Sequence, residues 1–218
     1  MGKIDTVLFD FDGTLMDTND IIINSWQFMF KAVEGKERPL EEVVKTLGEP
    51  FWLTLNNAFP NKPLEECAEI YKGFQREKYE KAVKPFSGMS ELLVSLKEKG
   101  YKVALVTSRT GASTREGLDK YDLTKYFDLI VTADDTDKHK PDPEPIYIAL
   151  EKLNSKKEES VMIGDTRFDI LCAKNADVKS VLVDWSLALP KESRVGEHTP
   201  DFVIETADGL FDVLDSIK

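Results

Sequence analysis

The sequence predicts an α/β protein, a doubly wound parallel sheet with a helical segment inserted behind its first strand. Three observations lead there. From Lys84 onward, short continuous apolar runs alternate with amphipathic stretches, the pattern of strands covered on both faces by helices. Between Thr18 and Val83 apolar residues recur at helical spacing and no run reads as a strand. The first strand, residues 6–9, ends in Asp10-Phe11-Asp12-Gly13-Thr14, and in such sheets ligands bind at the carboxyl ends of strands. The expected organisation is a core formed by 1–17 and 84–218 and a helical cap formed by 18–83, lying over the strand ends.

Thr6, Val7, Leu8 and Phe9 are apolar or β-branched, as a buried strand requires. Thr18 or Asn19 is positioned to cap a first helix through Ile21, Ile22, Ile23, Trp26 and Phe30, with Gly35 as its stop and its apolar stripe as cap core. Pro39 opens a second helix that ends at Gly48, a shorter helix covers 51–58, and Pro63 opens a long one to about Lys81. After Pro85 come a helix at 89–100, a strand at 101–107, a helix, and a strand at 128–132. Another helix precedes the strand at 160–164; a helix, the strand at 180–185, a last strand at 201–205 and a final helix complete the chain.

Composition narrows the function. The chain has 218 residues, 41% hydrophobic and 32% charged, enough for one large domain or a domain with a sizeable insertion. A net charge of −11 without a basic tract argues against nucleic acid as a partner. No apolar run approaches the roughly 18 residues of a membrane span, and no signal peptide precedes the first strand. Cys67 and Cys172 lie far apart, with neither a CxxC pattern nor a nearby histidine, and read as buried free thiols of a cytoplasmic protein. The expected assembly is a monomer or homodimer, between which the sequence does not choose.

Four strand ends carry chemistry. Asp10 and Asp12 lie at i and i+2, so both carboxylates face the same way in an extended chain. Two like charges so placed need a cation or a proton between them. A surface Asp-Gly turn is the plainer alternative. The second strand ends at Thr107, Ser108 and Arg109; a lone threonine there is more often a helix cap than a phosphate ligand. Lys140 follows the third, where a solvated loop charge is the ordinary reading. Asp165 ends the fourth and Asp169 lies four residues on, explicable singly as a helix cap and a polar face. The order of all four is what chance explains poorly.

In "DFDGTL" (10–15), "VTS" (106–108), Lys140 within "KPDPEP" and "GDTRFD" (164–169), the chain resembles the haloacid dehalogenase-like hydrolase superfamily in its phosphatase branch, over its whole length. The resemblance implies a Rossmann-like strand order and Mg²⁺-dependent phosphoryl transfer through an aspartyl-phosphate. Carried over, Asp10 is the nucleophile and Asp12 the general acid and base. Mg²⁺ is held by Asp10, the main-chain carbonyl of Asp12 and Asp165, with Asp169 orienting the metal's surroundings. Thr107, Ser108 and Lys140 bind the phosphoryl oxygens. Hard oxygen ligands suit Mg²⁺, and a phosphate dianion needs its charge offset before a carboxylate can approach it. The expected partner is a small phosphorylated metabolite.

Dehalogenases of the superfamily lack the second acid, present here as Asp12, and a binding-only relative would lack one of the key acids. Receiver domains pair acids similarly but on a shorter chain. The β-phosphoglucomutase relatives are the nearest rival; they carry a cap histidine where this chain has Ile22, which favours a plain hydrolase. Phosphoglycolate phosphatases are similar across cap and core, and the stretches at 17–20 and 132–145 most resemble bacterial pyrophosphatases. His139 and His198 read as surface histidines; Arg109 and Arg167 follow two of the motifs and either extend the positive field or are solvated charges at helix starts, and sequence does not assign them a role.

Overall fold

The computed structural model describes residues 3–217, the side chains of 79–82 aside. Six parallel strands form the sheet: β1 (Thr6–Phe9), β4 (Lys102–Val106), β5 (Leu129–Val131), β6 (Ser160–Gly164), β7 (Lys179–Val183) and β8 (Phe202–Ile204). Their spatial order is β5-β4-β1-β6-β7-β8. The order reverses direction between β1 and β6, so a crevice opens between their carboxyl ends. Phe9, the last residue of β1, pairs with Leu105 of β4 and Ile163 of β6.

The two-residue period of the strands divides the core. Val7, Phe9, Val103, Leu105, Val161 and Ile163 pack on one face with α5 (Met89–Glu98) and α9 (Gly209–Ser216). Leu8, Ala104, Val106 and Met162 point the other way, onto α7 (Glu144–Leu153) and α8 (Arg167–Asn175). Every residue of β1 is buried, which explains why its sequence shows an unbroken apolar run rather than alternation. Helix α6 (Gly111–Asp119) follows β4.

Helices α1 (Asn19–Glu34), α2 (Leu40–Val44), α3 (Phe51–Ala58) and α4 (Leu64–Ala82) build a second hydrophobic centre. Ile23, Trp26, Met29, Phe30, Leu55, Phe59 and Tyr71 meet there. Trp26 stands 5.0 Å from Tyr71 and 5.8 Å from Phe51 between ring centroids, so α1, α3 and α4 converge on one indole. Ile21, at the base of the expected cap stripe, packs with the sheet core instead. Gly35 ends α1 in the left-handed conformation, its N–H donating to Lys31 O.

Thr18 does not cap α1 through its side chain. Its hydroxyl instead accepts from Gly13 N at 3.2 Å and donates to Met16 O at 3.4 Å, tying the turn that follows β1. The chain enters and leaves the helical segment through a two-stranded antiparallel ribbon, β2 (Met16–Asp17) with β3 (Lys84–Pro85). The sequence reading found no strand at either place.

Candidate active site

The site begins where β1 stops. Asp10 N donates to Ile163 O at 2.8 Å, extending the pairing with β6 by one residue, and the chain then folds back on itself. Leu15 N and Met16 N both reach Phe11 O, at 3.1 and 2.9 Å, and Gly13 N donates to Met16 O at 2.9 Å. Gly13 has φ +73°, and a Cβ there would stand 2.0 Å from Asp165 Oδ2, so both backbone and space demand glycine.

Lys140 is buried at 4% exposure, contrary to the ordinary expectation for a loop lysine. Its ammonium donates to Asp10 Oδ1 at 2.6 Å, to Asp169 Oδ1 at 2.5 Å and to Val106 O at 3.3 Å. Burial alone would lower its pKa, but the carboxylates of Asp10 and Asp169 outweigh that and raise it, so the ammonium is charged. Asp169 has both oxygens engaged, since its Oδ2 accepts from Thr166 N at 3.0 Å and Thr166 Oγ1 at 2.6 Å. Thr166 in turn caps α8, accepting from Phe168 N and Asp169 N. The cap of this helix is therefore Thr166, and Asp165 is left to the site.

Asp165 Oδ2 accepts from Ser186 Oγ at 2.5 Å, and its Oδ1 from Thr14 Oγ1 at 3.4 Å. Ser186 also accepts from Asn19 Nδ2 at 2.7 Å, so a buried chain of hydrogen bonds joins α1 to Asp165. Sequence reasoning missed Ser186 and Asn19 as parts of the site. Ser186 lies in the irregular stretch after β7, where no periodicity or motif marks it.

One carboxylate oxygen from each of Asp10, Asp165 and Asp169 lies within 4.8 Å of the others, and all three residues are buried. Three acids against one lysine leave an excess of buried negative charge. Burial, with the proximity of Asp169 and Asp10, pushes Asp165 well above the usual carboxylate range. Asp10 is pushed up to about 7, by burial first, against the opposing pull of Lys140 and with the adjacent Asp169 and Asp12 adding to it. No protein donor among the described residues reaches Asp10 Oδ2. This all-oxygen donor set, short of positive charge, fits a hard divalent cation.

Asp12 takes a different partner. Arg109 Nη1 lies 2.9 Å from its Oδ1 and 3.3 Å from its Oδ2, and the guanidinium carbon sits 5.0 Å above the ring of the buried Phe11. Arg109 N donates to Thr107 Oγ1 at 3.2 Å and Ala133 N donates to Arg109 O at 2.8 Å, which fixes this loop at the end of β4. Thr107 is buried, and Ser108 Oγ is a buried hydroxyl with no hydrogen-bond partner among the described residues. An unsatisfied buried hydroxyl beside a charged pocket is suited to a ligand oxygen.

The helical segment closes over this edge. Arg167 Nη2 donates to Lys45 O at 3.4 Å and lies 3.7 Å from Glu49 Oε1, joining the start of α8 to the loop after α2. Gly48 of that loop, at φ +86°, comes so near that a Cβ would stand 2.8 Å from Thr166 Oγ1. The two histidines take local partners: His139 Nδ1 shares a hydrogen with Thr136 Oγ1 at 3.1 Å, and His198 lies 3.7 Å from Glu197. Cys67 and Cys172 are buried free thiols; burial raises the first and pushes the second up to about 12.

The chain is 35% identical over 212 residues to pyrophosphatase PpaX of Halalkalibacterium halodurans, covering 97% of each chain. It is 34% identical over 216 residues to pyrophosphatase PpaX of Bacillus mycoides, covering 99% of each. Among solved structures, a predicted phosphatase from Clostridium acetobutylicum superposes with a TM-score of 0.83 at 25% identity, over 98% of this chain and all of that one. The family profile of haloacid dehalogenase-like hydrolases matches residues 7–183, a span from the first strand through β7 that takes in every charged group gathered at the strand ends. With that match and these relatives, the chain belongs to the haloacid dehalogenase-like hydrolases.

Proposed function

We propose that this hydrolase is a Mg²⁺-dependent phosphatase that cleaves inorganic pyrophosphate or a small phosphoglycolate-type monoester through an aspartyl-phosphate on Asp10. The observation that carries it is the buried constellation of Asp10, Lys140, Asp165 and Asp169 beside the orphaned hydroxyl of Ser108. Pyrophosphate is preferred because the curated relatives that match over nearly the full chain are pyrophosphatases.

Asp10 and Asp165, with the main-chain carbonyl of Asp12, would hold the metal. When bound, Mg²⁺ supplies positive charge that offsets the phosphate against the carboxylate nucleophile. Lys140 holds Asp10 by Oδ1 and adds a fixed positive charge beside the phosphoryl oxygens. Thr107 and Ser108 donate hydroxyls to the same oxygens. Asp10 attacks phosphorus, and the bond from phosphorus to the bridging oxygen breaks as Asp12 gives that oxygen a proton. Asp12 then takes a proton from the water that attacks the aspartyl-phosphate, releasing phosphate and restoring both carboxyl groups. Asp169 positions Lys140 through Oδ1, its Oδ2 being held by Thr166.

Phosphate release from pyrophosphate, 2-phosphoglycolate and a panel of sugar phosphates, measured with Mg²⁺ and again after chelation, tests this. Pyrophosphate should lead, chelation should remove activity and Mg²⁺ restore it. Conversion of β-glucose 1-phosphate to glucose 6-phosphate faster than phosphate release would make the mutase reading correct instead.

A further inference from the structure

We infer that Arg109 determines specificity for leaving groups that carry negative charge, by exchanging Asp12 for an anionic group of the departing product. The inference presupposes the phosphatase reading above, in which Asp12 protonates the bridging oxygen. That step places the first atoms beyond the bridge beside Asp12, and Arg109 Nη1 already lies against both of its oxygens. The guanidinium is held in place by packing: it lies over the Phe11 ring, its side chain is 13% exposed, and its backbone is pinned at Thr107 and Ala133. On the cap side, the buried Tyr71 is within electrostatic reach of both Arg109 and Asp12, while the Asp12 side chain stays 23% exposed, open to an incoming group.

The chemistry follows from competition for one donor set. Asp12 must turn from Arg109 toward the bridging oxygen to deliver its proton. A phosphate or carboxylate on the leaving group offers Arg109 new anionic oxygens in exchange, in the planar two-point geometry that guanidinium prefers. A neutral alcohol offers none, so the guanidinium stays on Asp12 and the substrate gains nothing from it. Both second phosphate (pyrophosphate) and carboxylate (2-phosphoglycolate) satisfy this rule; phenyl phosphate and glycerol phosphate do not. The proton still passes from Asp12 to the bridging oxygen, and Arg109 neither gives nor takes one.

The test compares kcat/KM for pyrophosphate, 2-phosphoglycolate and phenyl phosphate in the Mg²⁺-loaded enzyme, in wild type, Arg109→Gln and Arg109→Lys. Removing a desolvated charge partner is expected to lower the pyrophosphate-to-phenyl-phosphate ratio by about 100-fold in Arg109→Gln. The point charge of Arg109→Lys should recover roughly tenfold of that. The ratio for 2-phosphoglycolate should fall in the same direction, by less if its single carboxylate is the weaker ligand. Direct titration of pyrophosphate into Mg²⁺-loaded Asp10→Asn, with and without Arg109→Gln, should show weaker binding in the double variant. Equal losses on charged and neutral leaving groups in both variants would mean that Arg109 serves Asp12 alone and would overturn the inference. A wild-type enzyme that hydrolyses none of the three substrates would overturn the phosphatase reading itself, a separate result.

Discussion

The carboxyl edge of the sheet and the helical segment above it solve opposite problems. At the sheet edge, Asp10, Lys140, Asp165 and Asp169 are buried charges that hold one another in place, and burial there opposes ionisation. In the helical segment, Trp26, Phe30, Phe51 and Tyr71 pack into an apolar centre, with the Arg38 guanidinium over Phe30 at its edge. The first arrangement gives up stability to gain chemistry, since paired buried ions rarely stabilise a fold more than apolar residues would. The second is ordinary packing with shape as its product. A site made of charge tolerates almost no substitution, whereas a site made of shape can drift and alter which substrate fits.

The comparison can be broken at its strongest point first. Asp10→Asn should reduce phosphate release by about four orders of magnitude or more, because an amide is not a nucleophile, with the far-ultraviolet circular dichroism unchanged. Near-normal turnover in a folded variant would remove the sheet edge from the chemistry. Lys140→Met comes next. It leaves Asp10 and Asp169 buried without their shared cation, and thermal or denaturant unfolding should show a loss of about 3–5 kcal/mol, together with most of the activity. A stability unchanged in this variant would mean that the buried charges are not mutually dependent.

A third experiment reads the same edge through pH. Asp10 has its pKa pushed up to about 7 from 3.8, so between those values the native protein keeps a proton that the unfolded chain has released. Stability therefore falls as pH rises through this window, by about 2 kcal/mol from pH 5 to 7 for the metal-free protein. The raised pKa of Asp165 acts in the same direction, and Lys140 stays protonated throughout. In scanning calorimetry, Tm should drop by roughly 8 °C over that range after chelation. Saturating Mg²⁺ should flatten the slope; a chelated protein whose Tm rises with pH would contradict the burial argument. The smallest effect belongs to the contact between the two regions. Arg167→Ala removes a partly exposed pair with Glu49, worth about 0.2–1 kcal/mol, and should change KM by less than about fivefold with little effect on kcat. A collapse of kcat would show that this pair does more than steady the cap.

Much of the fold could be read from the sequence because burial on both faces writes itself into continuous apolar runs, as in β1, β4 and β6. Helix starts at Pro39 and Pro63 were legible from proline chemistry, and the long insertion from its change of period. The ribbon of Met16–Asp17 and Lys84–Pro85 was not, since two residues carry no period. The residues of the strand-end motifs could be placed because each sits next to a strand whose end is visible. Their cross-chain partners could not: Arg109 meets Asp12 across 97 positions, and Ser186 meets Asp165 from an irregular loop. The Thr18 cap failed for a related reason, because its hydroxyl was already committed to the turn at Gly13 and Met16.

The ribbon has a consequence for how such a chain is assembled and rebuilt. Asp17 and Lys84 are paired partners, so the 66 intervening positions leave and return to the sheet at points one strand spacing apart. An insertion whose ends already touch adds little strain to its host, and closing a longer loop costs only about 0.6 kcal/mol for each doubling of length. The same junction accepts the opposite operation. Replacing residues 18–83 by a two-residue Asn-Gly turn would convert the ribbon into an ordinary hairpin, whose turn chemistry matches the strand twist. The helical segment is, in this sense, an exchangeable part mounted on a hairpin stem, and helical segments of other lengths could be carried on the same two strands.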